Sequence, residues 1–245
     1  DRVLLSTGEF PANVVPFVHL RHVGVEVDLM PSQHGITVES IEAALTSHTR
    51  LVALSAVQFL SGFRADLAAI GELCERRNIW FLVDAIQGAG VIQIDVQGMK
   101  IDALASGGQK WLMAPQGTGF LYLSQELQES LIPPFVGWLS VANPWEFFAY
   151  EQPLAPTARR YEAGTLNYLG LYGLKASIES LLEVGVEAIS ERVLFLTRLL
   201  REELERIPLL RILSPSDDKE RAGIITVERT DGQSLKPLMR QLEEN

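Results

Sequence analysis

The chain of 245 residues is 47% hydrophobic and carries a formal net charge of −10, enough apolar material for one substantial core and part of a second. Its acidic residues are spread along the chain, so there is no basic stripe to track a phosphate backbone, and nucleic acid is not expected as a partner. The single cysteine excludes an internal disulfide and fits a reducing compartment. No run nears the roughly 18 apolar residues of a membrane span and no basic-then-apolar signal opens the chain, so no membrane is expected and the cytoplasm is the expected location.

The opening DRVLLS reads as a strand that starts without a preceding turn or cap, as in a fragment trimmed at both ends. Apolar residues at Val14, Val15, Phe17 and Val18 predict a short helix over 11–22, interrupted by Pro16 and ended by Gly24. Val25 to Leu29 alternates like a half-exposed strand. After a turn over 31–35, Thr37 opens a helix with an acidic first turn that runs to about Ser47. Leu51 to Val57 reads as a buried parallel strand, and Asp66 caps a helix through Arg77 with Leu67, Ile70, Leu73 and Cys74 on one stripe. This alternation predicts a parallel sheet with right-handed crossovers.

The segment from Trp80 to Leu123 is the most informative. It reads as a strand ending in Asp84, a short apolar run from Val91 to Ile94, a strand from Ala103 to Ser106, a turn holding Lys110, and a final strand. In the turn Ser106, Gly107, Gly108, Gln109, Lys110 no bulky side chain precedes Trp111, so a ligand can approach the backbone and Ser106 can bind an anion. Apolar neighbours Trp111, Leu112 and Met113 would favour a neutral, nucleophilic amine suited to Schiff-base chemistry. Asp84 stands where open α/β sheets place ligand-binding groups, and Gln87 follows three residues on. A carboxylate there can keep a pyridinium nitrogen protonated, or simply cap a turn.

Beyond Tyr122 the pattern gives a helix near 125–131, a long Pro- and aromatic-rich loop, two long helices over 166–206 broken near Gly185, strands at 210–213 and 224–227, and a helix over 234–243. Cys74 on its apolar stripe reads as core. His19, His22, His34 and His48 share no metal-ligand spacing, so no metal is expected. The glycines at 88 and 90 lack the third glycine and the helix of a dinucleotide site, and GGQK lacks the Ser or Thr of a P-loop.

The segment resembles the class V aminotransferase family, the branch of fold-type I pyridoxal 5′-phosphate (PLP) enzymes that includes cysteine desulfurases and is similar to isopenicillin N epimerase. The D-x-x-Q motif is matched by Asp84 and Gln87, the S-G-H-K turn by Ser106, Gly107, Gln109 and Lys110 with Gly108 extra, and the E-A-G-T loop by Glu162, Ala163, Gly164 and Thr165. The resemblance implies a three-layer α/β large domain with a mainly parallel sheet over 1–184, and the start of a small α+β domain over 185–245. It implies that Lys110 forms the internal aldimine, Asp84 pairs with the pyridine nitrogen, Gln87 touches the phenolic oxygen, Ser106 and Gln109 bind phosphate, and Thr165 reaches the phosphate of a homodimer partner. Gln109 replaces a common histidine, leaving a neutral donor, and Phe59 stands where desulfurase-like relatives often carry asparagine. The implied substrate is a small amino acid or amine, with transamination, desulfuration, elimination and epimerisation all open. The ring-stacking aromatic is expected upstream of the chain, and the carboxylate-binding arginine and any persulfide cysteine beyond Asn245. Arg159 and Arg160 read as holding the E-A-G-T loop by carboxylate pairing, or one as meeting an anionic substrate. The rival readings are a non-catalytic homologue that keeps the pocket as scaffold, and an inactive fragment.

Overall fold

Short runs of leucine, valine and alanine bounded by turn residues build the sheet, and the computed structural model describes residues 1–32 and 35–244. The turn expected over 31–35 therefore falls partly outside the described residues. In chain order the first half comprises β1 (Arg2–Ser6), α1 (Pro11–His19), β2 (Glu26–Met30), α2 (Val38–Ala44), β3 (Thr49–Ser55), α3 (Leu67–Arg77), β4 (Trp80–Asp84), β5 (Ala103–Gly107) and β6 (Gly119–Leu123). The strands lie in the order β2-β1-β3-β4-β5-β6. All neighbours are parallel except β5 and β6, which pair antiparallel.

Local chemistry sets the helix ends. Thr37 caps α2 in a reciprocal box with Ser40, and Asp66 accepts the Ala69 N–H at 3.1 Å to start α3. Asn78, at φ 54°, closes α3 in the left-handed conformation. Pro11 occupies the first turn of α1, where its missing N–H costs nothing. Pro16 does not interrupt that helix as the sequence suggests. It sits on the exposed side, where water can satisfy the carbonyl it leaves free.

The main core lies on one sheet face, where Leu4, Val52, Leu54, Phe81, Val83 and Leu104 meet Ile41 of α2 and Ile70, Leu73 and Cys74 of α3. Phe81 is fully buried, so its truncation to alanine would cost about 3–5 kcal/mol. On the other face α1 sets Val14, Phe17 and Val18 against Val3, Leu5, Val27 and Ala53. This gives the expected three layers. Val91 and Ile92 form no strand; they are buried in the main core within a turn whose N–H groups donate to Gly88 O.

The second half continues with α4 (Gln125–Ser130), an irregular stretch, α5 (Tyr168–Val184), α6 (Val186–Glu205), β7 (Leu210–Ile212), β8 (Val227–Arg229) and α7 (Lys236–Glu243). Gly185, at φ 88°, makes the break between α5 and α6. In the irregular stretch Trp138, Trp145 and Phe147 pack ring against ring. The last strand begins at Val227, not at Ile224, because the residues before it serve the main core. Ala222 is buried there, Ile224 packs against it, and Arg221 bridges to Phe63. Among the described residues no helix is long and apolar enough to cross a membrane.

Candidate active site

The register pairs Ser55 with Asp84 and Asp84 with Ala105, so β3 and β4 end level and β5 runs two residues further, to Gly107. The chain steps from β1 to β2 on one side and returns to β3 on the other, which makes the β1/β3 gap the switch point where open sheets bind ligands. The loops leaving β1, β3, β4 and β5 carry Phe10, Phe59, Asp84 to Gln87 and Ser106 to Lys110. A cleft of about 530 Å³ lined by Asn13, Leu82, Asp84, Ile86, Ser106 and Gly107 opens beside them. A larger cleft of about 670 Å³, along α3 and the loop 217–220, includes none of these residues.

Lys110 is presented by a tight turn. Gly108 N donates to Thr118 O at 2.9 Å, Ala114 N to Gly108 O at 2.8 Å, and Met113 N to Lys110 O at 2.9 Å. A side chain at Gly108 would meet Thr118 Oγ1 at 2.6 Å, so the close turn requires glycine. The Lys110 ammonium lies 5.8 Å from the centroid of the Phe10 ring, within cation–π range, and among the described residues no carboxylate pairs with it. The expected apolar neighbours are arranged differently. Leu112 packs against α5, Met113 is 69% exposed, and Trp111 turns to Gln87.

Asp84 both caps a turn and faces a partner. Its Oδ1 accepts the Ile86 N–H at 2.8 Å and its Oδ2 accepts Asn13 Nδ2–H at 2.8 Å. Asn13 Nδ2 also lies 3.2 Å from Glu9 Oε2 and from Ser55 Oγ. Glu9 is buried and accepts the Ser55 N–H at 3.0 Å and the Ser55 hydroxyl. Glu9, Phe10 and Asn13 escaped the sequence reading, although the same strand-end logic that singled out Asp84 applies to E-F-P-A-N after β1. The Phe10 ring stands beside Lys110. Phe59 sets its edge on Phe10, with centroids 5.2 Å apart and an interplanar angle of 86°.

The remaining candidates divide. Gln87 Oε1 accepts the Trp111 indole N–H at 3.1 Å, and the buried Ser106 hydroxyl donates to Gly107 O at 3.2 Å. Gln109 is exposed, with its amide over Gly107. Thr165 is exposed in the loop before α5 and makes no hydrogen bond to Lys110, Asp84, Gln87 or Ser106 among the described residues.

The family described as Aminotransferase class-V matches residues 1–244. The chain belongs to the class-V aminotransferase family. An uncharacterized aminotransferase, YcbU, of Bacillus subtilis is 32% identical over 78% of this chain and 50% of its own length. A probable cysteine desulfurase of Methanothermobacter thermautotrophicus is 32% identical over 84% of this chain and 52% of its own. A C-DES variant with glycine covalently linked to its PLP cofactor superposes with a TM-score of 0.89 at 25% identity, over 100% of this chain and 65% of that one. The chain spans about half the length of the curated relatives it matches, and its fold is that of the fold-type I PLP enzymes.

Within this class-V chain, among the described residues, Arg159 and Arg160 pair with no carboxylate, contrary to expectation. Arg159 Nη2 donates to Val141 O and Ala142 O, and Arg160 Nε to Ala155 O at 2.8 Å, so both pin the loop through backbone carbonyls. Burial pushes the Cys74 thiol up to about 12, with Asp102 adding to it. Among the described residues no group of His, Cys, Asp and Glu could hold a metal. His34 lies outside them.

Proposed function

We propose that this protein is a PLP-dependent enzyme acting on an amino acid or amine, with the cofactor carried on Lys110. The observation that supports this most is the convergence, at neighbouring strand ends, of an amine that pairs with no carboxylate among the described residues, the ring of Phe10 and the carboxylate of Asp84. These are the groups the cofactor needs: a nucleophilic amine, a flat apolar wall and an anion for its ring nitrogen. When bound, PLP supplies an electron sink for charge developing at the substrate Cα.

The chain's own groups then have assigned tasks. Asp84, oriented by Asn13 and the Ile86 N–H, holds the proton on the ring nitrogen. Phe10 and Phe59 exclude water from one side. Gln87 donates to the ring oxygen, while Ser106 and Gln109 donate to the phosphate. Lys110 Nζ would hold and move the Cα proton. Thr165 serves the phosphate of the partner in a homodimer, residues 1–184 form the cofactor-binding unit with 185–245 beginning a smaller one, and the protein works in the cytoplasm. This set of residues is common to transamination, desulfuration, elimination and epimerisation. The buried Cys74 is not a sulfur acceptor.

The experiment is a spectrophotometric titration with PLP. The wild-type protein should gain a visible band with one equivalent per chain, and Lys110→Ala should fail to form it. Identical spectra for the two proteins would contradict the reading.

A further inference from the structure

We propose that Trp111 is a positioning residue whose indole N–H orients the Gln87 amide as a donor toward the cofactor's ring oxygen. The inference rests on the reading just given. An amide side chain can present either its oxygen or its nitrogen, and nothing in its shape chooses between them. The indole N–H is a donor only, so at 3.1 Å it commits Gln87 Oε1 to itself and turns Nε2 the other way. The nitrogen is thereby kept as the group offered to the site.

Trp111 is itself held in place. A side chain at Gly223 would lie 2.2 Å from Trp111 Cη2 and 2.5 Å from Cζ2, so the bare glycine backbone sits against the six-membered ring. A side chain at Gly90 would likewise lie 3.1 Å from the Trp111 carbonyl oxygen. The Gly223 segment is anchored by Arg221, whose side chain is 5% exposed and ion-paired with Asp218. Arg221 Nη1 also donates to Thr197 Oγ1 at 3.2 Å, and Arg221 bridges to Phe63. The orientation of Gln87 thus depends on packing contributed from the far end of the chain.

The consequence is electrostatic. A donor at the ring oxygen favours its anionic form, so it lowers the pH at which the bound cofactor's visible absorbance changes. Without the indole N–H the amide can turn its oxygen toward that anion.

Trp111→Phe deletes the indole N–H donor together with the outer ring atoms that meet Gly223. The absorbance midpoint of its PLP complex should move up by about one pH unit, the size of one lost hydrogen bond to a charged group. Gln87→Ala should shift it equally, and the double variant should shift it no further. In the cofactor-free protein the Trp111 indole N–H should exchange slowly with solvent and become fast in Gln87→Ala. A Trp111→Phe complex that titrates like wild type, shifts that add in the double variant, or an indole N–H that exchanges fast in the wild type would each overturn the inference. A wild-type protein that never acquires the visible band contradicts the cofactor reading itself.

Discussion

Asn13 Nδ2 lies 2.8 Å from Asp84 Oδ2, so the first turn of α1 grips the end of β4 across the intervening β3. A hydrogen bond to a carboxylate is worth about 1.5–3 kcal/mol. Asn13→Ala should therefore weaken PLP binding roughly ten- to a hundred-fold in a spectrophotometric titration. Asn13→Asp, which sets a second carboxylate against Asp84, should weaken it more than alanine does. Unchanged affinity in both variants would show that Asp84 needs no support from α1.

Cys74 should behave as packing. With its thiol pushed up to about 12 by burial, almost no thiolate exists at pH 8. The native protein should resist a thiol-specific reagent at that pH, and the unfolded protein should react with one equivalent. Cys74→Ser should cost about 1–3 kcal/mol in denaturant unfolding by leaving a hydroxyl unpaired in the core. Rapid modification of the native protein would contradict this placement.

Asp102 offers a test of buried charge. Burial raises its carboxyl above the usual range, with Glu126 and Glu75 adding, against the Phe81 N–H at 2.8 Å and the Ser124 hydroxyl at 3.3 Å, which lower it. Its folded-state value thus exceeds the unfolded one, so the ionised form costs stability above the folded value and the cost is absent below the unfolded value. Asp102→Asn keeps an acceptor for the Phe81 N–H and removes the charge. Its melting temperature should exceed that of the wild type at pH 7, and the gain should vanish as pH falls below about 4. A loss of stability at pH 7 would show that the charge is favourable there.

Thr165 carries the assembly proposal. A threonine hydroxyl on a partner's phosphate adds a charge-assisted hydrogen bond, and a ligand gripped by two chains stabilises their association. PLP should lower the dimer dissociation constant measured by analytical ultracentrifugation, and Thr165→Val should abolish most of that effect. A dissociation constant that ignores PLP in both proteins would make the E-A-G-T loop a structural turn only.

Much of this architecture was legible because burial acts locally. β3 and β4 are short apolar runs, Asp66 announces α3, and Asp84 ends a strand where a carboxylate has little packing reason to be. What stayed hidden depends on neighbours distant in sequence. Glu9, Phe10 and Asn13 acquire meaning only once β1 lies beside β3 and Asn13 comes within reach of Asp84. Ile224 reads as strand but is drawn into the main core beside Gly62. Trp111 looked like an apolar neighbour of Lys110, and its N–H partner 24 residues away was invisible from spacing. Arg159 and Arg160 suggested carboxylate partners because charge is visible in a sequence and backbone carbonyls are not.

The central claim is that the cofactor rides on Lys110, and borohydride reduction of the PLP-loaded protein tests it most directly. Peptide mapping should find the reduced pyridoxyl group on the peptide containing Lys110. Lys100 and Lys175, which pair with Glu75 and Glu179 at the surface, should remain unlabelled. A pyridoxyl group on Lys100 or Lys175 with Lys110 unmodified would contradict the account.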